Sequence, residues 1–421
     1  IIRLFMVRVF VILDGIGDRS CKALNGLTPL ESASTKNLDY FSGKGNGGYV
    51  YAINEKIAPE SDEAIMALLG YDPTKYYYGR GPLEAFGSGM EFSDGYLALR
   101  TNFATLEGNK IIDRRAGRTL TTSEAKALEK SINEKVSLDY PFKFKATVGH
   151  RGVLVIKGDF SANISNIDPA YKKVGKFGTA VSTRLNEVEE CKALDPEKKT
   201  KLSANAVNSF FSQTREILKY HEVNHRRNKK YLLEANALLL RDAGTILPEL
   251  PKKTEWAAVV SMPLEVGISK LAGMKVLKFD YPETTNHGFS YNLYEGVKET
   301  ISESIKAISS GKYKNYLIHF KETDVFGHEN MAIEKKKIIE IIDKEFFGFL
   351  RKIEDLELAV TGDHSTPCEM RGHTSDFVPL LHFNAKLEKN DTMQRFNESE
   401  CADGYYGKMY GKDVLKTLKF L

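Results

Sequence analysis

Cysteine is scarce in this chain and nowhere paired. The four, Cys21, Cys191, Cys368 and Cys401, lie far apart and form no CxxC motif. That argues against a disulfide framework and for separate thiols in a reducing compartment. Long apolar runs are missing too. The longest near the N-terminus, 4–13, is broken by Arg8 and ends at Asp14, and no small-residue cleavage site accompanies it. It is too short to cross a bilayer, so no membrane partner is expected and the expected location is cytoplasmic. Met6 stands as a candidate natural start. Nor does one charge dominate: 60 basic against 56 acidic side chains leave a formal +4. So mild a balance argues against nucleic acid as a partner, yet leaves room for a local cationic pocket. No segment has the bias of a disordered tail or low-complexity repeat.

What remains is an ordinary folded composition, 42% hydrophobic and 28% charged, over 421 residues. That length exceeds what one core usually serves, so two domains are expected. Three segments share a pattern, a short apolar run ending abruptly in acidic or histidine residues. They are 7–13 before Asp14, 316–320 before Lys321, Asp324 and His328, and 356–360 before Asp363 and His364. Near-continuous apolar strands indicate a parallel sheet covered on both faces, whose ligands gather beyond the strands' carboxyl ends. Helical stretches at 294–310 and 331–353 lie between, and 235–240 and 256–261 read as further strands. From 92 to 230 the texture changes to short strands (96–100, 110–113, 152–157), an amphipathic run over 122–135 and a helix around 204–220. The expected fold class is therefore α/β. A mostly parallel sheet covered by helices spans 1–91 and 235–421, with a smaller α+β domain inserted over 92–234. The basic run 225–230 reads as a linker or a solvated helix face.

Asp324 and His328 stand four residues apart, Asp363 and His364 are adjacent, and His373 follows in the turn Arg371-Gly372-His373-Thr374. Carboxylate and imidazole donors suit zinc, manganese or iron-type divalent ions, and two such ions can clamp an in-line phosphoryl displacement. Each piece also has a plain structural reading: a helix-surface pair, an Asx turn, a satisfied histidine. Ser61 lies in Pro59-Glu60-Ser61-Asp62-Glu63, just before apolar residues at helical spacing. Local pattern alone favours a helix cap; a serine at a helix N-terminus is also well placed to accept a phosphoryl group. Asp113-Arg114-Arg115-Ala116-Gly117-Arg118 puts three arginines in one turn-like stretch, either a solvated loop or an anion clamp.

At these residues the sequence resembles the archaeal-type, cofactor-independent phosphoglycerate mutases of the alkaline phosphatase superfamily. The resemblance runs in order along essentially the whole chain. It passes through Leu13-Asp14-Gly15, Ser61-Asp62, Gly70-Tyr71-Asp72-Pro73, Tyr78-Gly79-Arg80-Gly81-Pro82, Arg100-Thr101-Asn102, the 113–118 arginines, Gly149-His150-Arg151, Asn236 to Arg241 and the metal motifs. It implies a metal-binding phosphatase-like domain carrying an inserted phosphotransferase domain. The implied reaction exchanges 3- and 2-phosphoglycerate through a phosphoserine at Ser61, without 2,3-bisphosphoglycerate. By motif, Asp14, Ser61, Asp363 and His364 would hold one divalent ion, and Asp324, His328 and His373 the other. Manganese is favoured, with cobalt, zinc or magnesium as alternatives. Arg114, Arg115 and Arg118 become leading substrate ligands, Asp113 a group that orients the glycerate hydroxyls or serves as acid/base, and Asn102, His150, Arg151, Arg241 and Lys321 further ligands. A metal-dependent phosphomonoesterase or phosphonate hydrolase of the same superfamily is the competing reading.

Three departures from the family pattern stand out. Glu60 occupies a position usually held by glycine, Phe377 one usually held by proline, and Thr284-Thr285-Asn286-His287-Gly288 keeps its motifs only loosely. None removes a ligand. The sequence does not set the oligomeric state, and a homo-oligomer is compatible with it.

Overall fold

The computed structural model describes residues 6–174, 177–180, 186–282, 289–386 and 388–420; the departure at 284–288 lies outside them. Val7–Leu13, seven residues with six buried, sits at the middle of an eight-stranded sheet. Asn315–Phe320 pairs on one side and Leu356–Thr361 on the other, both parallel to it. These are the three runs that end in acids. Being apolar on both faces, they take the centre of a covered sheet. Trp256–Val260 and Lys275–Lys278 extend the sheet in parallel beyond Asn315–Phe320. Beyond Leu356–Thr361 come Val378–Asn384, antiparallel to both its neighbours, then Asn46–Tyr51 and Lys408–Tyr410. Helices Phe289–Ser309 and Ala332–Ile341 occupy the stretches that the helical spacing indicated. Among the described residues no helix is long and apolar enough to cross a membrane.

A second, all-antiparallel sheet has its own core. Leu97–Glu107 pairs with Lys110–Asp113, Arg151–Ile156 and Ala237–Gly244, and Phe142–Ala146 pairs at the outer edge. Helices Thr122–Lys135 and Lys198–Lys219 supply Leu128, Ile132, Val207 and Phe210 to that core. The strand Ala237–Gly244 corrects the division at 235. It belongs to the second sheet, although its almost unbroken burial made it read like the parallel strands. The basic run is corrected in part. Of the two readings it is a helix, Glu222–Lys229, with a solvated face at His225, Arg226, Asn228 and Lys229, but Arg227 within it is fully buried.

The two sheets meet through helix Arg80–Gly87. A Cβ on Gly87 would lie 1.8 Å from the Pro263 carbonyl oxygen, and one on Gly267 would lie 2.1 Å from that of Leu83. Glycine at both positions lets this helix touch Pro263–Leu271 backbone to backbone.

Candidate active site

The carboxyl ends of the three central strands build the floor. Asp14 leaves Val7–Leu13, Asp363 and His364 leave Leu356–Thr361, and Asp324 and His328 lie one turn apart on helix Glu322–His328. His373 enters from the loop that returns to Val378–Asn384. These side chains form two groups, Asp14 with Asp363 and His364, and Asp324 with His328 and His373. Within each, the potential ligand atoms lie within 4.8 Å of one another. In the first, His364 Nε2 is 3.3 Å from Asp14 Oδ1 and 3.4 Å from Asp363 Oδ2. Both of those oxygens are buried without a hydrogen-bond partner. In the second, Nε2 of His328 and of His373 each stand 3.5 Å from Asp324 Oδ1. A tetrahedral ion with bonds of about 2.1 Å separates its ligand atoms by about 3.4 Å, so both groups fit a divalent cation. Buried, unpartnered carboxylate oxygens are costly without one. The His364 and His373 rings are 3.7 Å apart, which makes the groups neighbours.

Each imidazole is held from behind. His328 Nδ1 donates to the Arg371 carbonyl at 3.1 Å and His373 Nδ1 to that of Pro59 at 2.8 Å. His364 Nδ1 meets Thr366 Oγ1 at 3.1 Å, and that hydroxyl donates to Asp324 Oδ1 at 2.8 Å. All three rings therefore turn Nε2 toward the centre, the arrangement that orients metal-binding histidines. Electrostatics follow the crowding. Burial, together with Asp363, pushes the Asp14 carboxyl up to about 8 despite Lys321. Burial pushes His328 and His364 down to about 4. Burial would also depress His373, but Glu60 and Asp324 overcome it and hold the ring up to about 10.

Ser61 is the first residue of helix Ser61–Leu68, and Glu60 is the cap. The Glu60 N–H donates to Glu63 Oε1 at 3.0 Å, so the helix start is served by its neighbours. Ser61 Oγ instead lies 3.4 Å from His364 Nε2. The cap reading of Ser61 fails for that reason.

Above the serine lies a cavity lined by Ser61, Asp324, His328 and His373. Of the expected ligands it brings together the cations Arg115, Arg118, Arg151, Arg241 and Lys321, with His150 and Asn102 beside them. Two expected ligands stand apart, lining only an outer cleft. Arg114 is turned away, bonded to Asp168 at 3.0 Å and Asn186 at 2.9 Å. Asp113 Oδ1 accepts the N–H groups of Arg115 and Gly117, so it shapes the loop. Lys321 Nζ is 2.6 Å from Asp14 Oδ2 and 3.3 Å from Glu265, and supplies a cation beside the first group. Arg115 and Arg118 reach across to Glu329 at 3.5 and 2.8 Å, tying the second unit to the first.

Arg80 and Arg100, both buried, also line the cavity and were missed as site residues. Glu84 holds them, at 2.6 Å from Arg80 and 3.6 Å from Arg100. The readable signal was an arginine inside the otherwise apolar start of Leu97–Glu107. Arg100 Nε and Arg241 Nη1 are buried without hydrogen-bond partners, and the Arg241 guanidinium lies 3.3 Å over the Tyr171 ring. Such donors, prepaid in position, suit a multiply anionic ligand. Phe377 packs on Tyr49, ring centroids 4.8 Å apart, and leaves the ligand set intact.

The comparisons with known proteins agree with one another. A family model described as 2,3-bisphosphoglycerate-independent phosphoglycerate mutase matches residues 43–224. A protein of that name from Pyrococcus horikoshii is 37% identical over 420 residues, covering 97% of this chain and 95% of its own. One from Aeropyrum pernix is 34% identical over 433 residues, covering 98% and 99%. Among solved structures, a cofactor-independent phosphoglycerate mutase from Thermoplasma acidophilum superposes with a TM-score of 0.58 at 30% identity, covering 99% of each chain. A Pyrococcus horikoshii protein superposes with a TM-score of 0.74 at 29% identity, covering 99% and 97%.

Proposed function

This chain belongs to the 2,3-bisphosphoglycerate-independent phosphoglycerate mutase family, and on that premise we propose that it interconverts 3-phosphoglycerate and 2-phosphoglycerate through a phosphoserine at Ser61. The observation that carries this reading is the placement of Ser61. Its hydroxyl stands 3.4 Å from His364 Nε2, at the foot of an arginine-lined cavity.

Divalent ions held by Asp14, Ser61, Asp363 and His364 and by Asp324, His328 and His373 would neutralise charge on the phosphoryl group and ease deprotonation of Ser61. Manganese suits this carboxylate–imidazole set, with cobalt, zinc or magnesium as alternatives. The protein's own residues do the rest. Arg80, Arg100, Arg115, Arg118, Arg151 and Arg241, all lining the cavity, bind the phosphate and carboxylate of the substrate. Ser61 Oγ takes the phosphoryl group as its bond to one glycerate oxygen breaks. The glycerate turns within the cavity, and its other hydroxyl takes the group back, releasing Ser61. Water must be kept out meanwhile, since hydrolysis would turn a mutase into a phosphatase. The second unit, 97–244, serves that purpose, and the Arg118–Glu329 contact helps hold it down.

The test is an enolase-coupled assay without 2,3-bisphosphoglycerate, after chelation and Mn²⁺ add-back. Activity that returns with metal is expected, and Ser61→Ala should lose it at least a thousandfold while still taking up Mn²⁺. Release of free phosphate from 3-phosphoglycerate with no 2-phosphoglycerate formed would replace the mutase with a phosphomonoesterase.

A further inference from the structure

Glu60 sits between the two halves of the site and belongs to neither ligand set. Its carboxylate is largely buried, with Oε1 3.3 Å from His373 Nδ1 and Oε2 4.0 Å from Arg80 Nη1. The His373 Nδ1 proton is already directed to this side by the Pro59 carbonyl at 2.8 Å. Nε2 of the same ring is the atom that faces Asp324 Oδ1. A carboxylate, an imidazole and a candidate cation position thus follow one another in a chain. The other two imidazoles lack this feature. His328 Nδ1, like His373 Nδ1, donates to a backbone carbonyl, and His364 Nδ1 meets the hydroxyl of Thr366, but neither has a carboxylate beside it as well. The Pro59 carbonyl fixes the ring's orientation, and the negative charge of a carboxylate beside it adds to the basicity of the donor nitrogen. Arg80, itself anchored by Glu84, balances the charge on the opposite oxygen, so Glu60 need not turn away toward water.

We propose that Glu60 is a positioning residue for His373, and that the pair makes Asp324, His328 and His373 the stronger of the two cation sites. This rests on the reading of both clusters as divalent-ion sites. It predicts an asymmetry that the ligand sets alone do not, because the first cluster carries the extra carboxylate, Asp14 with Asp363.

Mn²⁺ titration of the metal-free, full-length protein tests it by calorimetry. Glu60→Gln keeps the shape and an acceptor oxygen at the helix start while removing the charge. Two Mn²⁺ sites are expected in the wild type, the tighter of them weakened about tenfold in Glu60→Gln, in line with loss of a charged partner behind a metal ligand. The weaker site should stay within twofold. The same loss should persist in an Asp363→Asn background and vanish in a His328→Ala background, where the affected site is already broken. Histidine ¹⁵N spectra give a second readout: the His373 Nδ1 resonance should move in Glu60→Gln and those of His328 and His364 should not. Wild-type binding at two sites with neither changed in the variant, or with both weakened alike, would overturn the proposal alone. Failure of the wild type to bind Mn²⁺ would overturn the metal reading of both clusters and this inference with it.

Discussion

Arg227 is the perturbation that joins folding to function most directly. Its guanidinium has no exposure and donates to the carbonyls of Leu233, Thr119 and Ala116, to Thr119 Oγ1 and to Glu124 Oε2. These partners surround the loop that presents Arg115 and Arg118 to the cavity. That loop is strained: Ala116 and Arg118 both hold left-handed backbone, with φ of 46° and 54°, on either side of Gly117. Left-handed non-glycine residues cost about 1–3 kcal/mol each and persist only where the surroundings hold them. Breaking a buried ion pair costs about 3–5 kcal/mol when the partner is sealed from water. Glu124 is about a quarter exposed, its side chain at 24%, so the low end applies. Release of the strained loop recovers part of the loss.

Arg227→Met is therefore expected to lower unfolding free energy by about 3 kcal/mol in urea, in metal-free protein. It should also raise KM for 3-phosphoglycerate about tenfold with little change in kcat, because Arg115 and Arg118 are displaced while Ser61 and the cation ligands are untouched. Arg227→Lys, which keeps the charge but loses the planar fork, should not restore KM. A stability loss below about 1 kcal/mol would refute the energetic reasoning. Full destabilisation with an unchanged KM would show that the loop keeps its shape by itself.

A second buried pair makes a cleaner stability test. Lys335 Nζ is 2.8 Å from Asp18 Oδ2 with both side chains fully buried, and it also bonds the Thr366 carbonyl, joining the loops after Val7–Leu13 and Leu356–Thr361. Lys335→Met should cost about 3–5 kcal/mol by urea unfolding, and adding Asp18→Asn should recover much of it. A loss below about 1 kcal/mol would mean that the Cys368 and Cys21 donors satisfy Asp18 unaided. The same Lys335 charge argues against reading Asp18, Cys21 and Cys368 as a third cation site. Glu398 supplies the pH test. Burial raises its carboxyl from 4.5 to about 7, so the native state holds that proton more tightly than the unfolded chain. Stability should then be fullest below pH 4.5 as regards this group and fall as pH rises toward 7, by about 3 kcal/mol in all. Glu398→Gln should flatten that part of the urea-midpoint profile; parallel wild-type and variant profiles would refute it.

The central sheet was legible because its demand is local. A strand buried on both faces must be apolar throughout, and acids that end such a strand have no place except beyond its carboxyl end. Val7–Leu13, Asn315–Phe320 and Leu356–Thr361 met that condition and lie side by side. The same rule misplaced Ala237–Gly244, which is as apolar as they are because helices Arg80–Gly87 and Lys198–Lys219 cover it in a different sheet. Apolarity reports burial, and burial does not say which sheet provides it. Arg227 shows the converse. Flanked by His225, Arg226, Asn228 and Lys229, it has the local look of a solvated face, yet all its partners but Leu233 lie 103 to 111 positions away. Ser61 combines both cases. Pro59, Glu60, Asp62 and Glu63 announce a helix start, and that reading of the helix was right. Which side chain caps it depended on whether something distant wanted the serine hydroxyl, and His364, 303 positions on, sits 3.4 Å from it. A helix start can spare its serine only when a neighbour takes over the capping, and Glu63, accepting the Glu60 N–H, does so. The acids beside Ser61, which made the cap reading plausible, are thus what leave its hydroxyl free to face His364.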